Sequence, residues 1–251
     1  MASSLVENDL HSSERAHTMP VQIAIDGPVA SGKGTVAAML AKELGFTYLY
    51  TGAMYRALAL ACLGEHIEAK GEEDQTFKKN VLDILSHVDI SVGQPSQESN
   101  QTYVIMLNGE DVSEEIKAPD VANFTPFVAA IPEVRVFMVQ RQQELAQGKS
   151  VVMEGRDITT RVLPKADLKI FLNASLEERA RRRWEELKAS GVVKTFEEVL
   201  EDTKQRDEKD MTRATDPLQK LPDAWELDTT GMTQDQVVEA IKTELRKRNL
   251  L

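Results

Sequence analysis

Residues 26–35 read DGPVASGKGT: small residues and glycines around one lysine, opened by an aspartate. Glycines let backbone N–H groups turn inward and approach an anion closely, and a helix that follows points its positive N-terminus at the same place. In the pattern Gly27-x4-Gly32-Lys33-Gly34-Thr35, Lys33 supplies a point charge for β- and γ-phosphates, and Thr35 a hydroxyl toward Mg²⁺ directly or through its water. Gly27, Pro28, Val29, Ala30, Ser31, Gly32, Lys33, Gly34 and Thr35 are therefore the candidate nucleotide cradle. A plain glycine turn with an exposed lysine would show some of the same letters. The flanks argue against it: VQIAID (21–26) suits a strand buried on both faces, and VAAMLAKEL carries Val36, Leu40 and Leu44 at helical spacing.

Outward from the loop, FTYLY (46–50), SVVME (150–154), LKIFLN (168–173) and AWELDTT (224–230) read as further strands. GAMYRALALACL (52–63) reads as a helix, and so does a last segment with Val237, Val238, Ile241 and Leu245 on one stripe behind Thr233 as N-cap. Strands alternating with helices predict a five-stranded parallel α/β sheet. The stretch 64–124 breaks that rhythm: it is acidic and irregular, with KGEEDQ and GQPSQESNQ around VDISV (88–92) and YVIMLNGEDV (103–112). These two runs predict antiparallel strands, with an Asn-Gly turn, in a small inserted subdomain. Residues 1–19 lack an apolar run and are expected to form a disordered tail.

The chain has 251 residues, 41% hydrophobic and 28% charged, an ordinary globular balance. Its net charge of −11 argues against a nucleic-acid binder that works by neutralising phosphates. No apolar run is long enough to span a membrane, and the single Cys62, at helical spacing with Leu58, reads as core in a reducing cytoplasm. The four histidines show no metal-ligand spacing, so no side-chain metal site is expected. Five arginines, Arg161, Arg179, Arg181, Arg182 and Arg183, interrupt the acidic trend and suit a phosphate-clamping lid, although such a run is also what a solvated helix face looks like.

Three more segments narrow the reading. TGAMYR (51–56) sets Thr51, Tyr55 and Arg56 at a helix start. EGRD (154–157) closes a strand with Arg156 and Asp157, which equally suit a structural ion pair. Arg206, Asp210 and Arg213, spaced R-x3-D-x2-R, are expected on one helical face. With the GKGT form of the loop, these segments resemble the bacterial cytidylate kinases from about Val21 to the C-terminus.

That resemblance implies a P-loop nucleoside monophosphate kinase fold: a core over 20–63 and 125–251, a short helical lid at about 176–213, and an inserted monophosphate-binding subdomain at 64–124. It implies transfer from ATP, with Mg²⁺, to CMP or dCMP by a cytoplasmic monomer, another monophosphate kinase such as a UMP/CMP kinase being the alternative. Lys33, Arg156 and Arg213 would be catalytic. Arg56, Arg156 and Arg213 would hold the acceptor phosphate beside Thr51, with Tyr55 against the base. Arg206 and Asp210 would take the sugar hydroxyls, and Arg135 and Asp157 the cytosine edge. Four positions depart from the family pattern. Val29 and Pro126 replace common serines, with Thr125 a candidate substitute, and Thr159 and Arg161 stand where Gly and Val are common.

Overall fold

The structure is a computed structural model describing residues 19–69, 74–93 and 103–251; the expected tail, Met19 apart, and much of the two polar stretches in the insertion lie outside the described residues. The chain runs β1 (Gln22–Asp26), α1 (Lys33–Leu44), β2 (Thr47–Tyr50) and α2 (Thr51–Gly64), then α3 (Gln75–Leu85), β3 (Ile90–Gly93), β4 (Val104–Leu107) and β5 (Glu110–Asp111). A 3₁₀ turn (Glu115–Lys117) leads to α4 (Pro119–Ala129), α5 (Pro132–Ala146) and β6 (Val151–Gly155). A single π turn (Ile158–Val162), β7 (Leu168–Asn173), α6 (Leu176–Ala189), α7 (Phe196–Thr212), β8 (Trp225–Asp228) and α8 (Gln234–Lys247) complete it.

The main sheet has the expected five strands, all parallel, in the order β2-β6-β1-β7-β8. Ile23 and Ile25 of β1 are fully buried, as a strand covered on both faces requires. Each such side chain contributes roughly 1.5–3 kcal/mol by leaving water. On one face α1 and α8 supply Val36, Leu40, Val237, Val238, Ile241 and Leu245 to a shared core. Thr233 caps α8 by accepting from Gln236 N, and Gln236 returns the bond, a capping box.

The small sheet β3-β4-β5 is antiparallel, with Asn108 (φ 53°) and Gly109 (φ 84°) turning β4 into β5. Its packing unit is larger than residues 64–124. The apolar cluster beneath it also draws on α2 (Met54, Leu58, Cys62) and on Val134 and Met138 of α5. The central strands β1 and β6 end together, so that Asp26 faces Gly155 in register. The charged residues gather where these strand ends meet the loops behind them. Among the described residues, no single helix is long and apolar enough to cross a membrane.

Candidate active site

Between β1 and α1 the chain turns back on itself from Gly27 to Gly32. A Cβ at Gly27 would stand 2.1 Å from the carbonyl oxygen of Leu172 on β7, so only glycine lets the loop leave the sheet there. Gly32 (φ 85°) caps α1, whose N-terminus carries Lys33. Lys33 Nζ donates to the carbonyl of Pro28 at 2.9 Å and is buried. Burial and the neighbouring Arg156 push its pKa down from 10.5 to about 7, against the opposing pull of Glu154, Asp210 and Asp26. Ser31 Oγ is buried inside the loop with no hydrogen-bond partner among the described residues.

The loop is gripped from outside by the two helices that follow β7. Asp207 of α7 accepts from Val29 N at 3.2 Å, while Arg179 of α6 donates to the Val29 carbonyl at 3.1 Å and pairs with Asp207 at 2.5 Å. Arg182 donates to the Ser31 carbonyl at 3.3 Å and to that of Thr229 at 2.8 Å. Of the five arginines noted in the sequence, these two reach the phosphate loop. Arg181 and Arg183 pair with glutamates on the outer face of α6, and Arg161 pairs with Asp216.

Around Lys33 stands the first group of charged residues. Thr51, at the start of α2, donates to the carbonyl of Glu154 at 2.8 Å. Arg156 Nε donates to Asp210 Oδ2 at 2.7 Å, and Arg206 Nε lies 3.6 Å from the other oxygen. Burial alone would raise the Asp210 pKa; Arg156 and Arg206 outweigh it and hold the carboxyl below its usual range. Arg56 donates to the Ile116 carbonyl at 3.1 Å.

The second group begins one residue along. Asp157 does not pair with Arg156, as a simple strand-end ion pair would have it. It pairs with Arg135 of α5, whose guanidinium lies 5.9 Å from the centre of the buried Tyr55 ring. Arg135 Nε also donates to Asp216 at 2.9 Å. Burial raises the Asp157 pKa, opposed by Arg135 and Arg213. EGRD thus sends its arginine to one cluster and its aspartate to the other.

One sequence expectation changes. Arg206 and Asp210 lie on α7, but the helix stops at Thr212, and Arg213 is already extended (φ −58°, ψ 143°). Its guanidinium folds back onto the Asp216 carbonyl, with Nε at 2.7 Å, rather than continuing the helical face. Thr125, beside Pro126, donates its hydroxyl to the Val121 carbonyl at 2.6 Å within α4.

Sequence reading gave no role to four carboxylates. Asp26 is completely enclosed and accepts from Ile158 N (2.9 Å), Thr159 N (2.8 Å) and Thr159 Oγ1 (2.6 Å), fixing the π turn that follows Asp157. Glu154 is buried beside Lys33, Asp207 holds the phosphate loop, and Asp216 gathers arginines. The signal available was a carboxylate closing each of two apolar strands, at Asp26 and Glu154; nothing local marked Asp207 or Asp216.

A parallel sheet, a phosphate-type loop and a helix carrying Lys33, with arginines converging from α2, α5, α7 and the end of β6, define a P-loop phosphotransferase. Residues 23–247 match the family model described as cytidylate kinase, and the chain belongs to that family. A cytidylate kinase of Caldanaerobacter subterraneus subsp. tengcongensis is 48% identical over 91% of this chain and 96% of its own length. One of Oceanobacillus iheyensis is 47% identical over 91% and 95% respectively. The solved structure of TT1252 from Thermus thermophilus, 20% identical, covers 91% of this chain and 99% of its own at a TM-score of 0.42; the fold stands on the sheet itself.

Proposed function

We propose that this chain transfers the terminal phosphoryl group of ATP to CMP and dCMP, with the roles that follow. The phosphate loop and Lys33 hold ATP, and the unpartnered Ser31 hydroxyl and the N-terminus of α1 suit its phosphates. Arg156, Arg213 and Arg56 gather on the acceptor phosphate beside Thr51, and charge developing on the moving group is spread over Lys33 and these arginines. Asp210, with Arg206, takes the sugar hydroxyls. Tyr55 lies along the base, and Arg135 with Asp157 reads its edge.

Mg²⁺ asks for oxygen donors, and the exposed Thr35 and the carboxylate of Glu154 meet that demand; bound there with ATP, it would neutralise phosphate charge. Among the described residues, no cluster of three or more His, Cys, Asp or Glu could hold a metal alone, which leaves the nucleotide phosphates as its main ligands. The enzyme is proposed to act as a cytoplasmic monomer with no nucleic-acid or membrane partner; its net charge of −11 argues against a nucleic-acid binder that works by neutralising phosphates.

One observation carries the reading: adjacent residues Arg156 and Asp157 open onto two clusters, one beside Lys33 and one over Tyr55. That arrangement fits a substrate with a phosphate at one end and a hydrogen-bonding base at the other. ADP release with ATP and a panel of CMP, dCMP, UMP, AMP and GMP tests it. CMP and dCMP should lead; equal kcat/KM for CMP and UMP would overturn the assignment of the base-reading pair.

A further inference from the structure

Asp216 lies in no motif, yet it touches three arginines. Its Oδ2 accepts from Arg135 Nε at 2.9 Å, its Oδ1 faces Arg161 Nε at 2.9 Å, and its backbone carbonyl accepts from the Arg213 guanidinium. Its side chain is only 12% exposed, and its backbone sits at φ 48°, unusual for a residue other than glycine and the more so just before Pro217. A strained backbone that persists is one its surroundings over-determine.

A guanidinium has five N–H donors. Arg135 commits one at Nε to Asp216, one at Nη2 to Asp157 and one at Nη1 to the Ala129 carbonyl. Among the described residues, one N–H on each Nη is left: a two-donor fork that matches the ring nitrogen and carbonyl of cytosine and mismatches the N–H of uracil. A fork discriminates only if its plane is fixed. The Ala129 contact is long, at 3.4 Å, so Asp157 is the only close anchor on the terminal nitrogens; a second carboxylate at Nε, 2.9 Å away, adds the third point that fixes the plane.

We propose that Asp216 is the positioning residue that sets the plane of Arg135, and with it the preference for cytosine over uracil. Through its carbonyl it also ties Arg213, and so couples the base-reading end of the site to the phosphate end. The inference rests on the reading of Arg135 and Asp157 as the base-reading pair.

Asp216→Asn tests it, because Asn keeps the volume and tolerates the left-handed backbone. The CMP-over-UMP ratio of kcat/KM should fall roughly tenfold, with the KM for ATP held within about twofold. Arg161→Leu removes only the outer, half-exposed partner and should move the ratio by no more than about twofold. Combining Asp216→Asn with Arg135→Lys should cost less than the product of the single losses, as one broken unit does. A ratio unchanged in Asp216→Asn, or lowered equally by Arg161→Leu, overturns the proposal. Asp157→Ala separates the two levels. If it collapses the ratio while Asp216→Asn preserves it, only the role of Asp216 falls; if it too leaves the ratio unchanged, the base-reading pair is misassigned and both fall.

Discussion

The ammonium of Lys33 donates to the carbonyl of Pro28 at 2.9 Å, so the cation of the phosphate loop is held by the loop's own backbone. It needs no side-chain partner to keep it aimed. Its charge is then available to whatever negative charge develops on a transferred group. Lys33→Ala is expected to abolish turnover with CMP while leaving the far-ultraviolet circular dichroism spectrum unchanged. Steady-state rates decide it: activity near wild type would remove the loop from the mechanism.

The same burial makes stability depend on pH. In the folded chain Lys33 titrates near 7, against 10.5 ordinarily, so between those values the unfolded chain holds a proton that the folded one has released. Stability without nucleotide should therefore rise with pH through that window, and the cost of burying the charge should be constant below it. Melting curves from pH 6.5 to 9.5, compared with Lys33→Met, isolate the effect. The wild type should gain on the variant as pH rises; parallel curves would contradict the depressed pKa.

In the proposed reading Asp157 would accept from cytosine's exocyclic amine and repel the carbonyl that uracil presents instead. Losing one such buried contact costs about 1–3 kcal/mol, roughly tenfold to a hundredfold in rate. Asp157→Ala should narrow the gap between CMP and UMP mainly by lowering kcat/KM for CMP. A gap narrowed mainly by faster UMP turnover would point to repulsion, rather than attraction, as the source of selectivity.

The Thr159 hydroxyl donates to Asp26 at 2.6 Å in a site 1% exposed. Burial already raises the Asp26 pKa, and this bond opposes that rise. Leaving a buried acceptor short of a hydrogen bond costs roughly 1–3 kcal/mol. Thr159→Val is therefore expected to lower Tm by roughly 2–12 °C, as scaled for a chain of this size. Calorimetry at neutral pH checks this, and an unchanged Tm would assign Asp26 to its two backbone donors alone.

Much of this was legible in the residues. LKIFLN became a strand over the same six residues, and the Asn108–Gly109 turn and the Thr233 cap stand where their chemistry put them. The limits have a common cause: local pattern does not say which charged side chain faces inward. Arg179 and Arg181 sit two apart in one run, yet one is buried against Asp207 and the other pairs with glutamates in solvent. Helical spacing carried Arg213 one residue past the end of α7, because the spacing marks no terminus. Arg135 entered only through the family resemblance, since its partners Asp157 and Asp216 lie far from it in sequence.

The strand order carries a consequence for how the molecule comes into being. β1 is flanked by β6 and β7, and the bond joining Val21 to Ser150 spans 129 positions; the one from Val29 to Asp207 spans 178. Closing such long loops is slow, because chain entropy is lost before any contact repays it. A chain still emerging from the ribosome can complete its first helix early, but its grip on phosphate must wait for the last third of the polypeptide. Nucleotide binding is therefore a late event in synthesis, and truncated chains ending before α7 should neither bind ATP nor compete for it.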